Sequence, residues 1–247
     1  MTADRTLMTE KLDILAIAAH PDDAEISCAG TLMLHAAKGY KVGILDLTRG
    51  EMGTRGTPQL RLLESEKASS ILGLSARDNL GLPDCFFQND PESQQKLITQ
   101  IRRFQPEIVL CNAPEDRHPD HGKGGSFAVD SCFYSGLAKI ETTWKGQKQE
   151  AWRPKHVFHY IQDRLLIPDL VMDITPFWER KREALKAYQS QFYDPKSSEP
   201  QTYISTAAFW DFLEARAREM GHYMGVPYGE GLIKTKMIGV KDLFDLA

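Results

Sequence analysis

Short apolar runs alternate with longer segments of helical periodicity through the first half of this chain. Leu12–Ala19 is aliphatic and nearly uncharged, as a strand buried on both faces of a parallel sheet would be. Ile26–Lys38, rich in Ala, Leu and Met and closed by Gly39, predicts a helix. Lys41–Leu47 predicts the second strand. A further segment starts at Pro58 or Gln59 and runs to Leu72, with Glu64, Glu66 and Lys67 on a solvated face and Gly73 ending it. Arg77–Leu82 is a short strand crowded by Gly81 and Pro83. Ser93 caps a helix through Phe104, and Pro106 separates it from a strand at Ile108–Cys111.

This alternation continues to about residue 134 and predicts an α/β fold, a parallel doubly wound sheet with right-handed crossovers. Such sheets usually run 3-2-1-4, which makes strands one and four neighbours. The loops after them then meet at the crevice where ligands bind. Beyond Gly136 the pattern weakens. Thr142–Pro154 predicts a polar excursion, Lys155–Ile161 and Asp169–Ile174 two strands extending the sheet, and Pro176–Tyr188 and Ala207–Met220 two helices. Gly225–Gly231 looks turn-rich. With no repeat or linker, residues 1–247 form one domain, with 1–11 a loose tail and Met8 an alternative start.

Composition narrows the class. A net charge of -4 gives no electrostatic case for nucleic acid or an anionic membrane as partner. The N-terminus lacks a signal-type apolar core, and no run is long enough to span a bilayer. Cys28, Cys85, Cys111 and Cys132 form no C-x-x-C pair, which favours reduced thiols in a cytoplasmic protein. No G-x-G-x-x-G follows the first strand, so a dinucleotide site has no support.

The candidate chemistry sits at two strand ends. Ala19-His20-Pro21-Asp22-Asp23 closes the first run, and His118-Pro119-Asp120-His121 follows the fourth. Two imidazole and carboxylate clusters that the topology brings together suggest a shared metal site. His20, Asp23 and His121 make the best triad, leaving an open position as in catalytic zinc sites, and iron(II) accepts the same ligands. Asp22 is then free to take a proton from water. His118 is the spare imidazole, suited to an oxyanion or a leaving amine, with Asp120 fixing its tautomer. Spacing alone allows His118 and His121 to exchange roles. One metal with a base and an acid suggests amide hydrolysis. The alternatives are a phosphoesterase, which usually needs more ligands for two metals, and a sugar-binding module with a structural metal.

These paired motifs resemble the LmbE-like (PIG-L) family of zinc-dependent de-N-acetylases. That resemblance implies a Rossmann-like fold, zinc on His20, Asp23 and His121, Asp22 as base, and a catalytic role for His118 with Asp120. Thr48–Thr57 (TRGEMGTRGT), Tyr188–Phe192 (YQSQF) and Val226–Glu230 (VPYGE) are similar to the bacillithiol-biosynthesis branch. That branch removes acetyl from N-acetylglucosaminyl malate, and several members are hexamers, which implies a homo-oligomer here. It also favours Arg55 over Arg49 for gripping the malate carboxylate, against a plain reading of Arg55 as solvated or paired with Glu51. Tyr193 is placed for an oxyanion contact. His35, His156, His159 and His222 read as structural. Phe177-Trp178 and Phe209-Trp210 read as core between two helices, and Cys111 as a small buried side chain.

Overall fold

The computed structural model describes residues 10–245. Along the chain run β1 (Ile14–Ala18), α1 (Asp23–Ala37), β2 (Val42–Thr48), α2 (Pro58–Leu72), β3 (Ala76–Leu82), α3 (Pro91–Phe104), β4 (Ile108–Cys111) and α4 (Pro119–Tyr134). A small hairpin of β5 (Thr143–Trp144) and β6 (Gln147–Lys148) follows. Then come β7 (His156–Tyr160), β8 (Leu170–Asp173), α5 (Trp178–Lys186), α6 (Ala207–Met224) and β9 (Gly229–Lys234). The main sheet has the order β3-β2-β1-β4-β7-β9-β8. β3 to β7 are joined by parallel pairings, and β9 is antiparallel to both β7 and β8.

β1 lies mid-sheet and is buried throughout. Leu15 and Ile17 face a cluster with Leu97, Ile101 and Phe127 from α3 and α4. Ile14, Ala16 and Ala18 face Ala29, Leu32 and Ala184 from α1 and α5. Covered faces on both sides explain the unbroken apolar run. β1 pairs with β4 in a register that sets Ile17 opposite Cys111, so the two motif-bearing turns leave the sheet side by side.

Several elements depart from the sequence expectation. α1 begins at Asp23 rather than Ile26, because the motif itself forms the helix start. Asp90 caps α3 by accepting from Ser93 N at 2.8 Å, so Ser93 lies inside the helix. Glu64 is buried, accepting from Ser190 N and Oγ at 2.7 Å each, whereas Glu66 and Lys67 are exposed. The turn-rich stretch at Gly229–Gly231 is strand β9, held between β7 and β8. The aromatic pairs do not form one cluster: Trp178 stacks on Tyr228, and Phe209 packs near Phe192. Residues 1–9 of the expected tail lie outside the described residues, while Glu10 is paired with Arg103.

Candidate metal and catalytic site

The turn after β1 is held by its neighbours. Asn112, just past β4, accepts from Ala19 N at 2.8 Å, and Thr48 Oγ1 donates to Ala19 O at 2.9 Å. Pro21 then directs the chain into α1 through Asp22, whose φ of 116° lies in the left-handed region. Asp22 precedes α1 without capping it by a side-chain bond. Its Oδ2 instead accepts from Arg61 Nη2 at 3.0 Å, and Arg61 also donates to Pro21 O.

Asp23 points the other way, into a cage of donors. Gln162 Nε2 reaches its Oδ1 at 2.6 Å, and Asn112 Nδ2 and His20 N reach its Oδ2 at 3.1 and 3.0 Å. His121 Nε2 lies 3.2 Å from Oδ1, and His20 Nδ1 lies 3.5 Å from Oδ2. The far nitrogen of each imidazole is held by another carboxylate. His20 Nε2 is 3.0 Å from Asp84 and 3.4 Å from Asp120, and His121 Nδ1 is 2.6 Å from Asp116. Asp84 and Asp116 are fixed in turn, by Met52 N on one side and by Asp163 N and Arg164 N on the other.

His118 completes the group as N-cap of α4. Its ring centroid is 4.8 Å from that of His20 and 5.2 Å from that of His121. Its Nδ1 accepts from Asp120 N at 3.2 Å. Asp120 thus meets the His118 ring through its backbone N–H rather than through its carboxylate. That carboxylate binds Lys123 Nζ and Cys85 N and lies near His20.

These contacts separate the electrostatics of two adjacent carboxylates. Burial pushes Asp22 up to about 7, against the pull of Arg61. Burial also works to raise Asp23, but His121 and His20 hold it well below the ordinary carboxylate range. Burial opposes the charge on His121, yet Asp23 and Asp116 raise it to about 9. His118 moves down, from burial and the charges of His20 and His121. The donor set fits a divalent cation. Ligand atoms of His20, His118 and His121 all lie within 4.8 Å of one another, and Asp23 touches two of these rings. The carboxylates behind His20 and His121 are the outer partners that metal-binding histidines normally have. Metal binding there requires neutral imidazoles and an ionised Asp23, so it is coupled to pH.

His20, Asp22, Asp23, His118 and His121 line one cavity of about 160 Å³, with Gln162, Asp84, Arg61 and Arg117 also on its wall. A larger cavity of about 580 Å³, between α2 and the β2–β3 edge, contains none of the cluster's histidines or carboxylates. The two predicted substrate residues lie elsewhere. Arg55 is 5% exposed and donates to Ser197 Oγ at 2.6 Å and Glu199 Oε2 at 3.2 Å. Tyr193 is exposed, and neither residue borders the cavity. Arg61, Asn112, Asp116 and Gln162 were not singled out from the sequence. A pattern was available only for Arg61, which lies four residues after the Thr57 cap, on the face of α2 that carries buried Glu64 and Ala68. His159 is structural as expected, with Nδ1 2.6 Å from Asn112 O.

Residues 15–132 match the family model described as PIG-L, GlcNAc-PI de-N-acetylase. The crystal structure of a conserved protein, TT1542, from Thermus thermophilus is 36% identical, with a TM-score of 0.82, covering 93% of this chain and 98% of that one. A diacetylchitobiose deacetylase of Thermococcus kodakarensis is 28% identical over 89% of this chain and 81% of its own length. A 4-oxalmesaconate hydratase of Pseudomonas putida is 26% identical over 76% of this chain and 78% of its own.

Proposed function

Because this chain belongs to the PIG-L de-N-acetylase family, we propose that it hydrolyses the N-acetyl amide of an N-acetylglucosamine-type substrate. The observation that carries this reading is that Asp22 and His118 line the same cavity as His20, Asp23 and His121. We assign His20, Asp23 and His121 as metal ligands, because a second carboxylate backs each of these imidazoles and amide donors back Asp23. A divalent cation there, zinc or iron(II), would polarise the acetamide carbonyl and make water easier to deprotonate.

Asp22 is the base. Arg61 engages only its Oδ2, and no protein donor among the described residues reaches its Oδ1. It takes a proton from water as the water oxygen adds to the carbonyl carbon. The C–N bond then breaks, and that proton leaves with the amine, giving acetate and a free amino sugar. His118 accepts a backbone N–H at Nδ1, so the neutral ring carries its own proton on Nε2. It is therefore a donor to the developing oxyanion rather than a ligand, a role worth about 100- to 1,000-fold in rate.

Within this substrate class the loop motifs favour N-acetylglucosaminyl malate. With Arg55 bound to Ser197 and Glu199, the arginines facing the cavity are Arg61 and Arg117, and Arg117 is the exposed one. A cytoplasmic homo-oligomer is the matching assembly, read by light scattering. The test is incubation of the metal-loaded protein with N-acetylglucosaminyl malate, diacetylchitobiose and N-acetylglucosamine. Acetate release and loss of one acetyl group by mass are expected, fastest on the malate glycoside. Chitobiose deacetylated faster would transfer the assignment to that substrate. No acetate from any of the three would end the deacetylase reading.

A further inference from the structure

Helix α1 is broken. Cys28 has φ -139° and ψ 16°, outside helical values, between a first segment carrying Asp23, Glu25 and Ile26 and a second starting near Gly30. Just beyond the break, Gly30 N and Thr31 N donate to the two oxygens of Glu230 at 2.9 and 2.7 Å. Thr31 Oγ1 adds a third bond at 2.7 Å. Glu230 comes from β9, about two hundred residues away in sequence and outside the segment that matches the family model. An acidic group accepting free N–H groups at a helix start is favourable, and here it closes the N-terminus of the second segment. Lys181 of α5 neutralises it at 2.7 Å, and both side chains are buried.

The contact bears on the site from two sides. Gly30 packs so closely on Ile174 that a Cβ there would come within 2.6 Å of it, so the second segment cannot drift toward β8. Asp23 and Ile26, on the first segment, line the catalytic cavity. A small cavity of about 20 Å³ joins Ser27, Lys181 and Glu230 to Gln162, the residue that donates to Asp23 Oδ1. Ser27 Oγ has no hydrogen-bond partner there among the described residues.

We infer that Glu230 is a positioning residue, holding the broken α1 so that its first segment presents Asp23 to the imidazoles, with Lys181 serving only to neutralise it. This rests on the assignment of Asp23 as a metal ligand. Removing the carboxylate must then alter the geometry at Asp23, whereas removing the ammonium must cost stability alone.

The experiment compares wild type, Glu230→Gln and Lys181→Met, each loaded with cobalt(II) and scored by visible absorption, kcat, KM and Tm. Glu230→Gln is expected to shift the cobalt bands and lower kcat about tenfold or more, with KM within twofold. Lys181→Met is expected to lower Tm while keeping the wild-type spectrum and kcat. If Glu230→Gln is not recovered folded, Glu230→Asp, which keeps the charge but withdraws it by one methylene, is expected to shift the bands in the same sense. Wild-type bands and kcat in the folded Glu230 variant, or an equal change in Lys181→Met, would overturn the inference. A wild-type protein that binds no cobalt would instead overturn the ligand assignment beneath it.

Discussion

His20-Pro21-Asp22-Asp23 and His118-Pro119-Asp120-His121 each lead from a parallel strand into a helix with an imidazole, a proline and an aspartate, yet they hold their backbones differently. The second turn is relaxed: His118 is an extended N-cap whose ring accepts a backbone N–H, an ordinary helix start. In the first, Asp22 takes a left-handed φ, makes no side-chain cap and is clamped by Arg61. A non-glycine residue held there costs about 1–3 kcal/mol and persists only when its surroundings enforce it. Two turns of similar spelling thus divide the labour. The relaxed one delivers two imidazoles, and the strained one delivers His20 and turns neighbouring carboxylates apart, Asp23 toward the histidines and Asp22 toward Arg61.

The largest effect that would sharpen this contrast comes from Asp22→Asn. The change keeps the size of the side chain but removes the base, so kcat should fall about 100- to 10,000-fold while metal content stays at the wild-type level. Near-native turnover would assign the base to another residue. His118→Ala, the matching change in the relaxed turn, should cost about 100- to 1,000-fold in kcat, again with metal retained. Loss of metal would make His118 a ligand and exchange its role with His121.

Behind the turns, Asp116→Asn should weaken metal binding about 10- to 100-fold by chelator competition, because His121 loses the carboxylate that orients it. Unchanged affinity would leave Asp116 without a role at the metal. The smallest effect concerns strain. Asp22→Gly, which loses the base as Asp22→Asn does, should raise Tm by a few degrees, since glycine accepts this φ and the variant no longer buries a carboxylate. A lower Tm would mean that the Asp22–Arg61 contact stabilises the fold more than the turn strains it.

The parts legible in the sequence were those written locally. Leu12–Ala19 and Ile108–Cys111 showed the two-sided burial of central strands, and βα alternation led to the 3-2-1-4 order that brings their turns together. β9 was not legible, because Gly229 and Gly231 read as turn residues. Its strand state comes from pairing with β7 and β8, where Gly231 packs against Met220 and Pro168. The outer carboxylate Asp116 and the amides Asn112 and Gln162 are single polar residues in loops, and only the folded chain shows that they converge. Arg55 and Arg61 illustrate the same limit. Both lie in or beside one glycine-rich loop, and tertiary contacts alone turn Arg55 to Ser197 and Glu199 and Arg61 to Asp22.

The central claim is that both turns grip one ion. Metal content per chain, measured by elemental analysis after dialysis against zinc, tests it directly in wild type, His20→Ala and His121→Ala. One ion per wild-type chain and a large loss in each variant are expected, because each turn supplies a ligand that the other cannot replace. Full occupancy in either folded variant, or two ions per wild-type chain, would contradict it.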